Sequence, residues 1–503
     1  MQTLFNRHAW IWLCAGAAGV ALGALAGCSA GNEFLGRISG WNEVGALPAN
    51  SSREVERFNS TLRHESGAAD IDRETSHFAD VFKRVRVGYV RDVGDAELVD
   101  AAVRGIEEHK GSSPRRDPAQ LVEAALRAML SSLDPHSAYL NADEYRDSFV
   151  STRSEFGGIG IEVSAEDGLV KVIAPIEDTP AYRAGLKSGD LITHVDGDPV
   201  KGKGLMFAVN KMRGAPGSEL RLMLLRDGAA FEARLTRAVI KVRSVRWEIV
   251  GDVGYIRVVR FIEKADDNLD QAMSEIRKRL GGKLRGIVLD LRNNPGGLLE
   301  QSVTVADSFL DSGKIVTVKG RRGSGRVYEA TSGDIAKGVP MVVLVNGGSA
   351  SAAEIVAAAL QQNGRATVMG TLTFGKGSVQ TVVPLPQEGA LRLTTSLYYA
   401  PSGEAIQSRG VEPDVEVIDT TVVDAEKPKL SEGAAEKRRR EADLPGALPA
   451  VGSVFSRRHG SVSDNRCRPV GEKQDRQLGC AVELLQAGSP SKFLAAVGAR
   501  PAM

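Results

Sequence analysis

Apolar and polar positions change period along this chain, and the changes mark its regions. From about residue 74, Phe78, Val81, Phe82 and Val85 recur at i, i+3, i+4 and i+7, the spacing of one helix face. A second helix is predicted around 118–131 (PAQLVEAALRAMLSS), before LDPHSAYL (133–140) breaks the pattern with Asp-Pro. Between about 155 and 240 the runs shorten to FGGIGIEV, LVKVIAP, DLITHVDG and ELRLMLL, separated by glycine turns, with one helical stretch, GLMFAVNKM. That pattern predicts a small, mostly β domain. From 241 strands and helices alternate: GYIRVVRF, then a helix with Leu269, Met273, Ile276 and Leu280 on one face, then GIVLDL and MVVLV. The last two are continuous apolar runs, as expected of strands covered on both faces of a layered α/β core. Past about 420 the pattern stops. AEKPKLSEGAAEKRRREADLPG is dense in charge and poor in large apolar residues, which predicts an exposed, disordered segment. QLGCAVELLQ (477–486) then predicts a short helix able to dock back.

At 503 residues the chain is long enough for about three domains. A net charge of +1 gives no field for capturing nucleic acid. Arg7 and His8 precede a charge-free stretch (9–27) with the layout of a secretion signal, and LAGC (25–28) resembles the bacterial lipobox. Cleavage there would leave Cys28 lipidated and the protein on a membrane, facing an oxidising extracytoplasmic space such as the periplasm. Ser29 favours outer-membrane sorting. Residues 28–73, rich in Gly, Ser, Asn and charge, read as the tether. Cys14 leaves with the signal, so Cys467 and Cys480 remain, and a disulfide is their simplest use.

The candidate chemistry centres on GGSASAAEI (347–355), directly behind MVVLV. Ser351 and Glu354 form the S-x-x-E of a capping box, which requires no chemistry. The same geometry puts a serine at the positive end of a helix dipole among free N–H groups, an environment for a nucleophile and an oxyanion. No histidine occurs between His194 and His459, so a histidine base would have to come from elsewhere. Lys376, between glycines in TFGKGSVQ (373–380), is the alternative, provided that burial lowers its pKa. DLRNNPGGLLE (290–300) ends a strand in Pro-Gly-Gly, a turn able to present N–H groups. No Walker motif accompanies it, and nothing calls for a metal or cofactor.

In order, LDPHSAYL, the small β domain, LDLRNNPGG, NGGSASAAEI, GTLTFGKGSVQ and YAPSGEAIQSRGVEPD resemble the carboxyl-terminal processing peptidases of family S41 over about 75–418. The resemblance implies a multidomain α/β protein: a signal peptide (1–27), tether (28–73), N-terminal helical region (74–154), PDZ domain (155–240), crotonase/ClpP-like serine protease core (241–420) and a tail (421–503). It implies Ser351 as nucleophile, in preference to Ser349, and Lys376 as general base positioned by Gln380. The oxyanion donors would be the N–H groups of Ala352 and Gly297, with Glu354 in support. Gly157, Gly158, Ile159 and Gly160 would form the PDZ loop that takes a substrate's terminal carboxylate. Protein substrates bound by their C-termini, an adaptor lipoprotein and a homo-oligomer follow as expected partners. The charged insertion and the paired cysteines depart from the family pattern. Two rivals remain at this point, a non-catalytic PDZ lipoprotein scaffold and an acyl-CoA enzyme of crotonase type. The intact Ser351 and Lys376 disfavour the first, and the secretion signal disfavours the second.

Overall fold

The computed structural model describes residues 47–109, 117–150, 155–418, 440–452 and 460–498, apart from 177, 204, 242–243, 322 and 324. The expected signal, Cys28 and Ser29 lie outside the described residues. The N-terminal region opens with helix α1 (Ala49–Ser66), α2 (Asp72–Gly88), α3 (Asp95–Glu108) and α4 (Pro118–Ser131). Helix α1 occupies part of the stretch expected to be tether. Only three large apolar residues, Val55, Phe58 and Leu62, carry its buried face, and Phe58 stacks on Phe78 of α2 with ring centroids 3.5 Å apart. Helix α4 begins where Asp117 accepts the Ala119 N–H and Pro118 fills the first turn. Strand β1 (Ala138–Leu140) and α5 (Ala142–Val150) complete the region.

The glycine-punctuated stretch folds as β2 (Glu155–Gly158), β3 (Ile161–Glu166), β4 (Leu169–Pro175), α6 (Pro180–Arg183), β5 (Leu191–Val195), β6 (Asp198–Pro199), α7 (Leu205–Met212), β7 (Glu219–Arg226), β8 (Ala229–Thr236) and β9 (Ala238–Lys241). Strands run in the order β3-β4-β5-β7-β8 around a core of its own that includes Val172, Ile192, Leu222 and Leu224. Strand β2 pairs only with β9, closing the domain at its two chain crossings.

The remaining elements are β10 (Val245–Val250), β11 (Val253–Val258), α8 (Ala265–Leu280), β12 (Gly286–Asp290), α9 (Leu299–Asp307), β13 (Lys314–Gly320), β14 (Gly325–Glu329), β15 (Met341–Val345), α10 (Ala352–Gln362), β16 (Thr367–Gly370), β17 (Ser378–Pro384), β18 (Ala390–Tyr399), β19 (Val415–Ile418), β20 (Gly460–Ser463), α11 (Arg476–Ala487) and α12 (Pro490–Ala496). A seven-stranded sheet runs β10-β11-β12-β15-β16-β19-β20, parallel from β11 onward. Alternate residues face opposite sides. Leu289, Val343 and Val345 pack with α8, α9 and α10, while Val288, Val342 and Leu344 pack with α11 and α12. The tail is therefore half of the core's cover and adds a strand, where the sequence suggested one docked helix.

Residues 440–452 also differ from expectation. They end the charge-dense run, yet Glu441 and Leu448 are buried. Tail and core are joined by Arg292, which reaches Asp290 (2.7 Å) and Asp475 (2.6 Å), the residue that caps α11. Cys467 and Cys480, both buried, form a disulfide with a sequence separation of 13. Closing a loop of that size removes about 3 kcal/mol of unfolded-state entropy. Reduction should therefore lower the denaturant midpoint by that equivalent, and Cys467→Ser with Cys480→Ser should abolish the sensitivity to reductant.

Candidate active site

Strand β15 ends at Val345 and a five-residue turn delivers Ser351 to the start of α10. Ser349 is fully buried within the turn. Its hydroxyl donates to the Leu291 carbonyl (2.8 Å) and accepts the Asn346 N–H (3.0 Å), pinning two strand ends together. Ser351 instead sits at the helix N-cap with φ 54° and ψ −114°. A non-glycine residue held there stores about 1–3 kcal/mol, a cost that concentrates at functional sites. Of the two serines, only Ser351 is held this way.

Glu354, one turn into α10, is fully buried, and its carboxylate accepts four hydrogen bonds. Oε1 takes the Thr373 hydroxyl (2.5 Å) and the Gly375 N–H (2.7 Å). Oε2 takes the Ser351 N–H (2.8 Å) and the Lys376 N–H (2.9 Å). The expected capping contact is thus also a clamp between the serine turn and the lysine loop. Burial pushes the Glu354 carboxyl up to about 7, even against these four donors.

The loop around Lys376 is stitched along its backbone. Gly375 O accepts Ser408 N–H (2.8 Å), Gly377 N–H donates to the Gln407 side chain (2.9 Å), and Gly377 O accepts Tyr398 N–H (2.7 Å). A Cβ on Gly377 would meet the Gln407 nitrogen at 2.1 Å, so this position of the Gly-Lys-Gly must stay bare. Burial lowers the Lys376 pKa from its ordinary value. Among nearby charges Glu441 opposes that most, Arg392 reinforces it, and Asp134 and Glu354 oppose it. Among the described residues, Ser351 Oγ and Lys376 Nζ form no hydrogen bond with one another. The buried Tyr398 side chain adjoins Ser351, and burial raises its hydroxyl well above the ordinary value.

Gln380 follows a register shift between Val379 and Gln380 in the β17–β18 ladder. Its amide donates to Ser378 Oγ (3.0 Å) and Thr394 Oγ1 (3.3 Å), not to Lys376. Thr394 bonds Asp134 of LDPHSAYL (3.0 Å), and β1 pairs with β18, so that motif braces the strand paired with β17, which follows the lysine loop.

The Pro-Gly-Gly turn lies beside the serine. A Cβ on Gly296 would stand 2.9 Å from Ser351 Cβ and 3.1 Å from the Ala352 nitrogen. At Gly297 a Cβ would strike the Phe261 carbonyl at 1.9 Å, and the residue bridges Phe261 with φ 143°. Among the described residues, the N–H groups of Ala352 and Gly297 have no acceptor, as an oxyanion site requires. In the β domain, Gly157 and Gly158 belong to β2, and Ile159 and Gly160 form the link to β3. The sequence pointed to Ser351, Lys376, Glu354 and the glycine turn. It missed Tyr398, Gln407, Thr373 and Glu441.

The model of peptidase family S41 matches residues 252–417, and a PDZ-domain model matches 157–236. A carboxy-terminal-processing protease of Bartonella bacilliformis is 44% identical over 349 residues, which cover 69% of this chain and 75% of that protein. This chain belongs to peptidase family S41. Carboxy-terminal processing protease CtpA of Bacillus subtilis is 33% identical to the S41 chain over 362 residues, 71% of this chain and 72% of that one. Among solved structures, the photosystem II D1 C-terminal processing protease superposes with a TM-score of 0.46 and 29% identity, covering 75% of this chain and 99% of that chain. The S41 chain is a serine-type peptidase with a PDZ domain.

Proposed function

We propose that this peptidase is an extracytoplasmic endopeptidase that holds substrates by their C-terminal carboxylate in the PDZ domain and cuts them with Ser351 and Lys376. The observation that carries the reading is the Glu354 carboxylate, which accepts the backbone N–H of both residues. Neutral Lys376 takes the Ser351 proton, the alkoxide attacks a peptide carbonyl, and Ala352 and Gly297 N–H groups stabilise the oxyanion. The lysinium then protonates the leaving amine, and water repeats the sequence on the acyl-enzyme. In this reading, substrate or an adaptor lipoprotein draws the two side chains into hydrogen-bond contact, as catalytic contacts commonly tighten on binding. Lipid on Cys28 holds the chain at the membrane, Ser29 directing it to the outer one.

The test uses the full-length chain purified in detergent, with an unfolded protein substrate whose C-terminus is free or amidated. Cleavage is expected with wild type and with Ser349→Ala, and more slowly for the amidated substrate. Equal rates on both substrates would overturn the role of the carboxylate. No cleavage by wild type, even with membrane extract added, would favour the scaffold.

A further inference from the structure

The tail that follows the S41-matched region reaches the lysine loop. Glu441 opens a short 3-10 turn (Glu441–Asp443) behind a run of basic residues, yet it is fully buried. Its carboxyl group pairs with His136 Nε2 at 2.9 and 3.0 Å. It also accepts the Gln407 amide at 2.9 Å. The Glu441 N–H donates to the Phe374 carbonyl at 3.1 Å.

These contacts bracket Lys376. Phe374, two residues before it, is held by the Glu441 backbone. Gly377, one residue after it, is held by Gln407, whose other amide end is on Glu441. Further along the same strap, the Leu448 carbonyl accepts the Ser408 hydroxyl (2.6 Å), and the Ser408 N–H in turn holds Gly375. On the far side, His136 belongs to LDPHSAYL, where Asp134 accepts the His136 N–H (2.9 Å) and the Ser137 hydroxyl (2.6 Å). Three separate parts of the chain thus meet at one carboxylate. Such a group is costly to bury unless its lone pairs are used, and the histidine and amide use them.

We propose that Glu441 is a positioning residue for the general base: through Phe374, Gln407 and His136 it fixes the loop that carries Lys376, so that the strap of residues 440–452 completes the active site. This rests on Lys376 being the base. The carboxylate is also the nearby charge that most favours protonated Lys376, with Asp134 and Glu354 acting in the same direction and Arg392 against. Glu441 therefore braces the loop from which the amine extends and works against the lowering that burial imposes on it.

The test compares full-length wild type with Glu441→Gln, Glu441→Asp and Glu441→Ala. Two readouts are taken across pH: kcat and KM on an unfolded protein, and the labelling rate of Lys376 by an amine-reactive reagent, read by peptide mass spectrometry. Glu441→Gln should move Lys376 labelling and the acid limb of kcat to lower pH together. Glu441→Ala should lower kcat by about tenfold or more with little change in KM, because Gln407, which holds Gly377, loses its anchor while the backbone bond to Phe374 and substrate binding remain. Glu441→Asp should restore part of the loss. Wild-type labelling and kcat in both the Gln and Ala variants would overturn the proposal. If Glu441→Ala does not fold, Glu441→Gln decides alone. If wild type cuts nothing even with membrane extract added, the Ser351–Lys376 reading has failed, and the labelling profile by itself decides whether Glu441 governs the Lys376 amine.

Discussion

Ser351→Ala and Lys376→Arg each leave a folded chain whose kcat on an unfolded protein falls by about 10⁴-fold or more. Alanine removes the nucleophilic oxygen and nothing that the fold needs, since the clamp to Glu354 uses the Ser351 N–H. Arginine keeps a long basic side chain, but a guanidinium holds its proton at any working pH and cannot accept one from the serine. Ser349→Ala makes the sharp contrast. Its hydroxyl ties Leu291 to Asn346, so its loss costs stability of about 1–3 kcal/mol while leaving the chemistry in place. The decisive measurement is kcat for the three variants beside their unfolding midpoints. A Ser351→Ala chain that still cuts would remove this serine from the mechanism.

Glu354→Gln is expected to lower kcat by about 10²-fold. The substitution is nearly isosteric, but all four partners of the carboxylate are donors. An amide offers them one oxygen and one opposing NH₂, so the serine turn and the lysine loop lose their common anchor. Protonation of the native residue does the same reversibly. With its carboxyl raised to about 7, Glu354 is ionised only above that pH. Cleavage by wild type should accordingly rise as pH passes through about 7, and further as Lys376 loses its proton. Stability runs the other way. A raised folded-state pKa contributes stability that is fully present below the ordinary Glu value and is lost as pH rises through about 7. Activity and thermal midpoint measured over one pH series should move in opposite directions across that window. Parallel curves would show that Glu354 does not titrate there.

What was legible in the sequence was local. The spacing of GGSASAAEI announces a helix start, and flanking glycines mark Lys376 as a place where other backbone comes close, which Gln407 does. GIVLDL and MVVLV read as strands covered twice over because every residue in them is apolar or ends the strand, and both are buried throughout. Contacts distant along the chain left no such trace. Glu441 lies in a basic, charge-dense run, where composition speaks for exposure, and only His136 and Gln407 make its burial affordable. Gln407 sits in a motif whose pattern gives position and not role, and Tyr398 lies just outside it. Helix α1 escaped because three large side chains suffice to bury its inner face, too few to stand out against the polar residues around them. The order of the seven strands was equally hidden, since β20 joins across the whole tail.

The covering of the central sheet by α11 and α12 bears on when during biosynthesis this peptidase can exist. Strand β20 and both helices are made after Ser351 and Lys376, and until they arrive Val288, Val342, Leu344 and Met369 have no partner on that face. Glu441 likewise follows both residues along the chain. A ribosome-bound chain that already contains nucleophile and base therefore still lacks the layer that covers one face of their sheet and the strap that braces the lysine loop. Chain order alone is expected to delay proteolytic competence until the tail has been made, so a chain that ends before residue 440 should fail to cut an unfolded protein.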